Sequence, residues 1–150
     1  MKTQIKAVVK AIVSHVGGEY TYSEVKELIE TVESEFGYDF EVSFDGRDYR
    51  IIENSEIESV MKDELSNDEY ILGCFNAWFL ADVMSIPAEA IEKIQAADCH
   101  EALGMIIAAN DEMLSELVKK YISADGAGHH FSRYDGSEED TGEYTVFCVG

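Results

Sequence analysis

"YDFEVSFDGRDYRIIE", residues 38–53, decides what kind of fold this chain can adopt. Phe40, Val42 and Phe44 alternate with Asp39, Glu41 and Ser43, and the alternation returns through Tyr49 and Ile51 after Asp45-Gly46. A period of two sends successive side chains to opposite faces of an extended strand. Asp-Gly between two such runs suits a tight turn whose central residues take positive φ. The stretch therefore predicts an antiparallel hairpin. Two strands alone are marginal in water, so the hairpin needs a helix over its apolar face or a third strand. "EYTVFCV", residues 143–149, has a strand pattern of its own and brings the far end of the sequence to the same sheet.

The segments around the hairpin are helical. Ile5, Val8, Val9, Ile12, Val13 and Val16 follow the i, i+3, i+4, i+7 rule, so residues 2–16 form an amphipathic helix stopped by Gly17-Gly18. Thr21 with Glu24 makes a capping box that opens a second helix. Its apolar stripe is Val25, Leu28, Ile29, Val32 and Phe36, and Gly37 ends it. A short acidic helix is expected from Ser55 to about Leu65. "SNDEYILGCFNAWFLADVM", residues 66–84, reads as one helix capped by Asn67 or Asp68, apolar on most faces and the centre of the core. Pro87 suits the first turn of the next helix. "HEALGMIIAANDEMLSELVKKYI" continues as one bent helix or as two that join at Asn110. The expected fold is a single, mainly helical α+β domain over residues 1–150, with a small antiparallel sheet made of the hairpin near 38–53 and C-terminal strands.

Charge narrows the function. The 150 residues carry a net charge of −20, with 46% hydrophobic content that excludes disorder across the whole chain. A domain of this size is comfortably soluble with a magnitude of about 2–8. Residues 1–18, 19–69 and 70–150 carry +3, −13 and −10. Such a field argues against nucleic acid or an anionic membrane as direct partner and favours a basic protein. Cys74, Cys99 and Cys148 form no CxxC pair, which fits reduced thiols and a cytoplasmic setting. The longest weakly charged run, Tyr70 to Ala81, is twelve residues, too short to span a bilayer.

On a helical wheel Glu27, Glu30 and Ser34 point away from the apolar stripe of the second helix, with Glu24, Glu33 and Glu35 on its flanks. Carboxylates at i, i+3 and i+4 have Cβ atoms about 5–6 Å apart, comparable to the spacing of phosphates along a strand. These residues, with Asp39 and Glu41 of the hairpin and Glu138, Glu139, Asp140 and Glu143 near the C-terminus, are the candidate partner-binding surface.

"GAGHHFSRYDGSEEDTGEY", residues 126–144, is the other stretch that invites a functional reading. Starting at Asp135 it lacks the oxygen spacing of a calcium loop. His129 and His130, if extended, would point to opposite faces. A zinc site would then need one of them to converge with Cys99 and His100. There is no G-x-S-x-G elbow, no phosphate-binding Gly-rich loop after a strand, and no H-E-x-x-H. The segment is expected to be a Gly-rich turn and acidic hairpin, with no catalytic residue, metal or cofactor assigned.

Gly126, Gly128, His129, Ser132, Tyr134, Asp135, Gly136 and Glu138, following "LGCFNAWFLADVMSIPAEAIEKIQAAD", resemble the ending of a group of small, mostly uncharacterised phage-encoded acidic proteins. The likeness covers roughly the second half of the chain. It implies a phage setting and the host cell cytoplasm. The expectation is a non-enzymatic acidic protein that inhibits a basic, nucleic-acid-handling host defence protein by DNA mimicry, of anti-restriction or anti-CRISPR type. Two alternatives stand beside it. One is an accessory or assembly protein that forms homodimers through an apolar patch at Trp78, Phe79 or the first helix. The other is a small metal-dependent enzyme built on His100, His129 and Cys99.

Overall fold

A computed structural model describes residues 2–150. The chain is mainly helical α+β with a four-stranded antiparallel sheet, as the pattern predicts. It gathers into two compact units: residues up to Ile57 together with Asp125–Gly150, and Glu58–Ala124.

The first unit holds α1 (Lys2–Val16), α2 (Tyr22–Glu35), β1 (Asp39–Phe44) and β2 (Arg47–Glu53) from the early part of the chain. A later stretch adds α9 (Ala127–Phe131), β3 (Glu139–Asp140) and β4 (Tyr144–Cys148). The β1–β2 turn is built as expected, with Asp45 at φ 51° and Gly46 at φ 75°, the two positive values that match a primed turn to strand twist. Phe44 therefore pairs with Arg47 and Val42 with Tyr49. The sheet order is β1-β2-β4-β3, so β4 is central, and Tyr49, Ile51 and Glu53 face Cys148, Val146 and Tyr144 across it.

Period two then sorts the side chains. Phe40, Val42, Tyr49, Ile51, Tyr144, Val146 and Cys148 join Ile5, Val8, Val9 and Ile12 of α1 and Leu28 and Val32 of α2 in one buried core. Each large side chain so buried contributes about 1.5–3 kcal/mol. On the opposite face Phe131 of α9 packs against Phe147 with the rings tilted, centroids 5.0 Å apart, and the Arg50 guanidinium lies 5.0 Å over Phe131. Both faces of β4 are covered, which is why all five of its residues are buried and its pattern is a continuous run. The capping box of α2 is complete: Glu24 N–H donates to Thr21 Oγ1 and Thr21 N–H to Glu24 Oε2. The apolar stripe of α1 is thus spent largely on this core, with Val13 and Val16 partly buried against it.

The second unit consists of α3 (Ile57–Ser66), whose first residue precedes the boundary, then α4 (Glu69–Gly73), α5 (Ala77–Met84), α6 (Ala88–Ala96), α7 (His100–Ala108) and α8 (Asp111–Asp125), whose last residue follows it. A 3₁₀ turn at Asn54–Glu56 leads into α3. The single helix expected over 66–84 is two helices. Asp68 caps α4 by accepting from Ile71 N–H, and Asn76 caps α5 by accepting from Trp78 N–H. An Asn that bonds a nearby backbone donor starts a new helix more readily than it continues one. The break also lets α4 and α7 meet backbone to backbone. A Cβ on Gly73 would stand 1.8 Å from the His100 carbonyl oxygen, and one on Gly104 1.7 Å from that of Glu69. Leu72, Leu80 and Val83 are buried, but Trp78 is 73% exposed and lies outside the core. Pro87 precedes the first turn of α6 as its N-cap. Asn110 separates α7 from α8 and caps the latter by accepting from Met113 N–H. No helix among the described residues is long and apolar enough to cross a membrane.

Candidate functional site

The carboxylate face of α2 forms because its other face is committed. Leu28 and Val32 are core residues and Val25, Ile29 and Phe36 pack against them, which leaves Glu27, Glu30, Glu33 and Glu35 exposed. Glu41 is exposed on β1 beside them in sequence, its strand neighbours Phe40 and Val42 being buried. Between α2 and the β1–β2 turn lies an open groove of about 300 Å³. Leu28 and Phe44 supply its apolar lining, and Glu24, Glu27 and Asp45 its carboxylates. Tyr20 O–H donates to Asp45 Oδ2 at 2.9 Å and holds that carboxylate at the rim. An apolar lining with an anionic rim suits a Lys or Arg side chain, which buries its stem and presents a charged head.

The other carboxylates of the expected surface are not equivalent. Asp39 is half-buried and accepts both Nε and Nη2 of Arg50, at 2.9 and 2.8 Å, so it is a structural partner and not free surface. Glu24 spends one oxygen on the α2 cap. Asp140 accepts from Gly142 N–H at 2.8 Å and Asn54 Nδ2 at 3.0 Å, and these two bonds hold its carboxyl below the usual range. Glu143 accepts from Gln4 Nε2 at 2.9 Å. Glu139 is exposed on β3. Glu138 lies over Gly126, its Oε1 2.5 Å from where a Cβ on that glycine would stand.

The Gly-rich segment differs from its expected form at the histidines. Ala127–Phe131 is a short helix and not an extended run. His130 is buried with its ring edge-on to Phe131, centroids 4.8 Å apart, and His129 is exposed. The turn that follows puts Gly136 at φ 70°, as expected of Tyr134-Asp135-Gly136. Beyond it β3 pairs with β4 to form the acidic hairpin.

That turn also delivers Asp135 to α1. His15 Nε2 lies 2.8 Å from Asp135 Oδ2 and its Nδ1 lies 2.9 Å from Tyr49 Oη. Cys148, the register partner of Tyr49, completes a trio in which one donor atom each of His15, Asp135 and Cys148 lie within 4.8 Å of one another. A cavity of about 180 Å³ borders this cluster, lined also by Ser14, Ser137, Glu138 and Glu139. Burial, with Cys148 alongside, pushes the Tyr49 phenol up to about 12. Burial raises the Asp135 carboxyl, but hydrogen bonds from Ser137 and His15 outweigh it and leave the group below its ordinary value.

Among the described residues this trio is the metal-type cluster that forms, while Cys99 and His100 are engaged within their own unit. His100 instead pairs with Asp98 at 3.5 Å and packs on Tyr70, and the Cys99 thiol donates to the Ala97 carbonyl oxygen at 3.5 Å. Sequence reasoning passed over His15. The available signal was its place three residues after Ile12, a titratable side chain on the apolar stripe of α1. No family model, curated protein or solved structure matches the chain.

Proposed function

We propose that this chain is an acidic binding protein that docks on the basic, nucleic-acid-handling surface of another protein. The observation that carries the reading is the exposed carboxylate row of α2 beside an anionic groove of the size and polarity for a cationic side chain. Glu27, Glu30 and Glu33 recur at i, i+3 on a helix locked by its cap and its core face, so their spacing is held before binding. Preorganised charge of this kind raises association rate and specificity. The resemblance to small acidic phage proteins favours a host defence protein, a nuclease above all, as the target, met in the host cytoplasm.

The test is Glu27→Gln/Glu30→Gln/Glu33→Gln, which keeps size and helix propensity nearly constant. An exposed ion pair is worth about 0.2–1 kcal/mol, so losing three weakens binding by about 0.6–3 kcal/mol. That is roughly 3- to 150-fold. A basic protein captured from host lysate should bind the wild type more weakly as salt rises, because exposed charges are screened over about 8–10 Å. Duplex DNA should compete with it. Capture that ignores both salt and the triple change refutes the reading. Trp78, 73% exposed, favours a second reading in which the chain self-associates. Sedimentation showing a dimer that Trp78→Ala dissolves would select it.

A further inference from the structure

We infer that His15, Asp135 and Cys148 form a binding site for a zinc-class divalent cation, with an open coordination position facing the adjacent cavity. The three donors come from the last turn of α1, the turn after α9 and the central strand β4, and lie within 4.8 Å of one another. Tetrahedral zinc, bound at 2.0–2.3 Å, holds its ligands roughly 3.3–3.8 Å apart, so the Cys148 sulfur closes on the other two by at most about an ångström, while His15 Nε2 and Asp135 Oδ2, 2.8 Å apart, open slightly.

The donor chemistry selects the ion. A thiolate, an imidazole and a carboxylate together suit zinc and its borderline neighbours, while calcium and magnesium take oxygen ligands.

The surrounding hydrogen bonds aim the ligands. Tyr49 Oη engages His15 Nδ1 at 2.9 Å, which leaves Nε2 as the ligating nitrogen. Metal-bound histidines are oriented through the other ring nitrogen in this way. Ser137 N–H holds Asp135 Oδ1 at 2.9 Å, so Oδ2 is the oxygen turned toward His15. The Arg47 side chain interacts with Cys148 and so places one positive charge beside the site, which opposes a second cation. Asp135 and the cavity carboxylates Glu138 and Glu139 counter that charge.

Binding balances with one proton released. The Cys148 thiol gives up its proton, and the imidazole N–H moves from Nε2, where it donates to Asp135 Oδ2 in the metal-free form, to Nδ1, where it donates to Tyr49 Oη, so that Nε2 is freed for the ion. The cavity of about 180 Å³ has room for a water on the remaining position.

Cys74 and Cys99 are exposed thiols, so the experiment uses Cys74→Ser/Cys99→Ser protein with Cys148 as its sole thiol. The chelator-stripped protein is titrated with Zn²⁺ at neutral pH in excess Mg²⁺, which occupies scattered carboxylates. One equivalent should bind with release of about one proton. Co²⁺ in its place should show a thiolate-to-cobalt charge-transfer band. Tyr49→Phe should weaken Zn²⁺ binding about 10-fold by loosening the imidazole. Cys148→Ser and Asp135→Asn should each cost about 100-fold or more, above the range of outer-shell changes. Asn at 135 keeps the acceptor for Ser137 N–H, so that variant decides if Cys148→Ser does not fold. Absence of a stoichiometric site, a cobalt complex without the charge-transfer band, or unchanged affinity in folded Asp135→Asn would each overturn the assignment.

Discussion

Gly104→Ala adds a single methyl group to α7 and should damage the second unit severely. The new Cβ would stand 1.7 Å from the Glu69 carbonyl oxygen and 2.4 Å from its carbon. Real Cβ atoms stay at least 3.0 Å away, so α4 and α7 must separate by at least about 1.3 Å. No rotamer relieves the contact, because the obstacle is backbone. A gap of that size removes a quarter to a half or more of the dispersion energy of every facing pair, and Leu72, Leu103 and Ile107 are fully buried there. Overpacking costs about 1–3 kcal/mol, and this case belongs at the top of that range. For a chain of this size each kcal/mol lowers the melting midpoint by about 2–4 °C, so the expected loss is about 6–12 °C. Gly46→Ala is the control. Nothing lies within 4 Å of its added Cβ, so only its φ of 75° penalises it, by about 1–2 kcal/mol. Circular dichroism melts of both variants, with urea midpoints at unchanged slope, measure the difference. Gly73→Ala combined with Gly104→Ala should cost less than the sum, since one separation of the helices relieves both contacts. If Gly104→Ala melts no lower than Gly46→Ala, α4 and α7 are not in backbone contact.

Other outcomes follow from the first unit. Gly136→Val places a β-branched residue at φ 70° and should cost about 1–3 kcal/mol, whereas Glu139→Ala on the exposed edge should cost almost nothing; equal urea midpoints would contradict the turn geometry. Tyr49, with its phenol raised to about 12 from 10.0, binds its proton more tightly folded than unfolded. Its contribution is complete below the unfolded value near 10 and is lost as pH rises from there through 12. Urea titrations at pH 8 and pH 11 should therefore show a larger alkaline loss for wild type than for Tyr49→Phe, and equal losses would place the phenol in water.

Much of the first unit was legible because its signals are local. Asp45-Gly46 encodes its own turn, the Thr21 and Glu24 pair encodes its own cap, and the stripes of α1 and α2 repeat at the helical period. The break between α4 and α5 was not, since the need for Gly73 arises from the His100 carbonyl on another helix. The carboxylates divide on the same ground. Nothing in the composition distinguishes Asp39 from Glu41, and the β1–β2 register sets Glu41, not Asp39, opposite Arg50, yet the guanidinium reaches diagonally to Asp39 and leaves Glu41 exposed. His15, Asp135 and Cys148 share no motif spacing, because a strand register and a turn bring them together. Only the misplaced polarity of His15 on an apolar stripe pointed there.

The central position of β4 has a consequence for synthesis of the protein. The strand that pairs with β2 leaves the ribosome only after all of Glu58–Ala124. At about 5–20 residues per second, the emerging hairpin waits roughly 5–20 s for it. Through that interval the β2 edge from Tyr49 to Glu53 carries open N–H and C=O groups and unburied Ile51 and Ile52. Such an edge is a template for any other nascent copy. The −13 charge of residues 19–69 is already present on that intermediate, and it repels neighbouring copies on a crowded polysome before any binding partner is met.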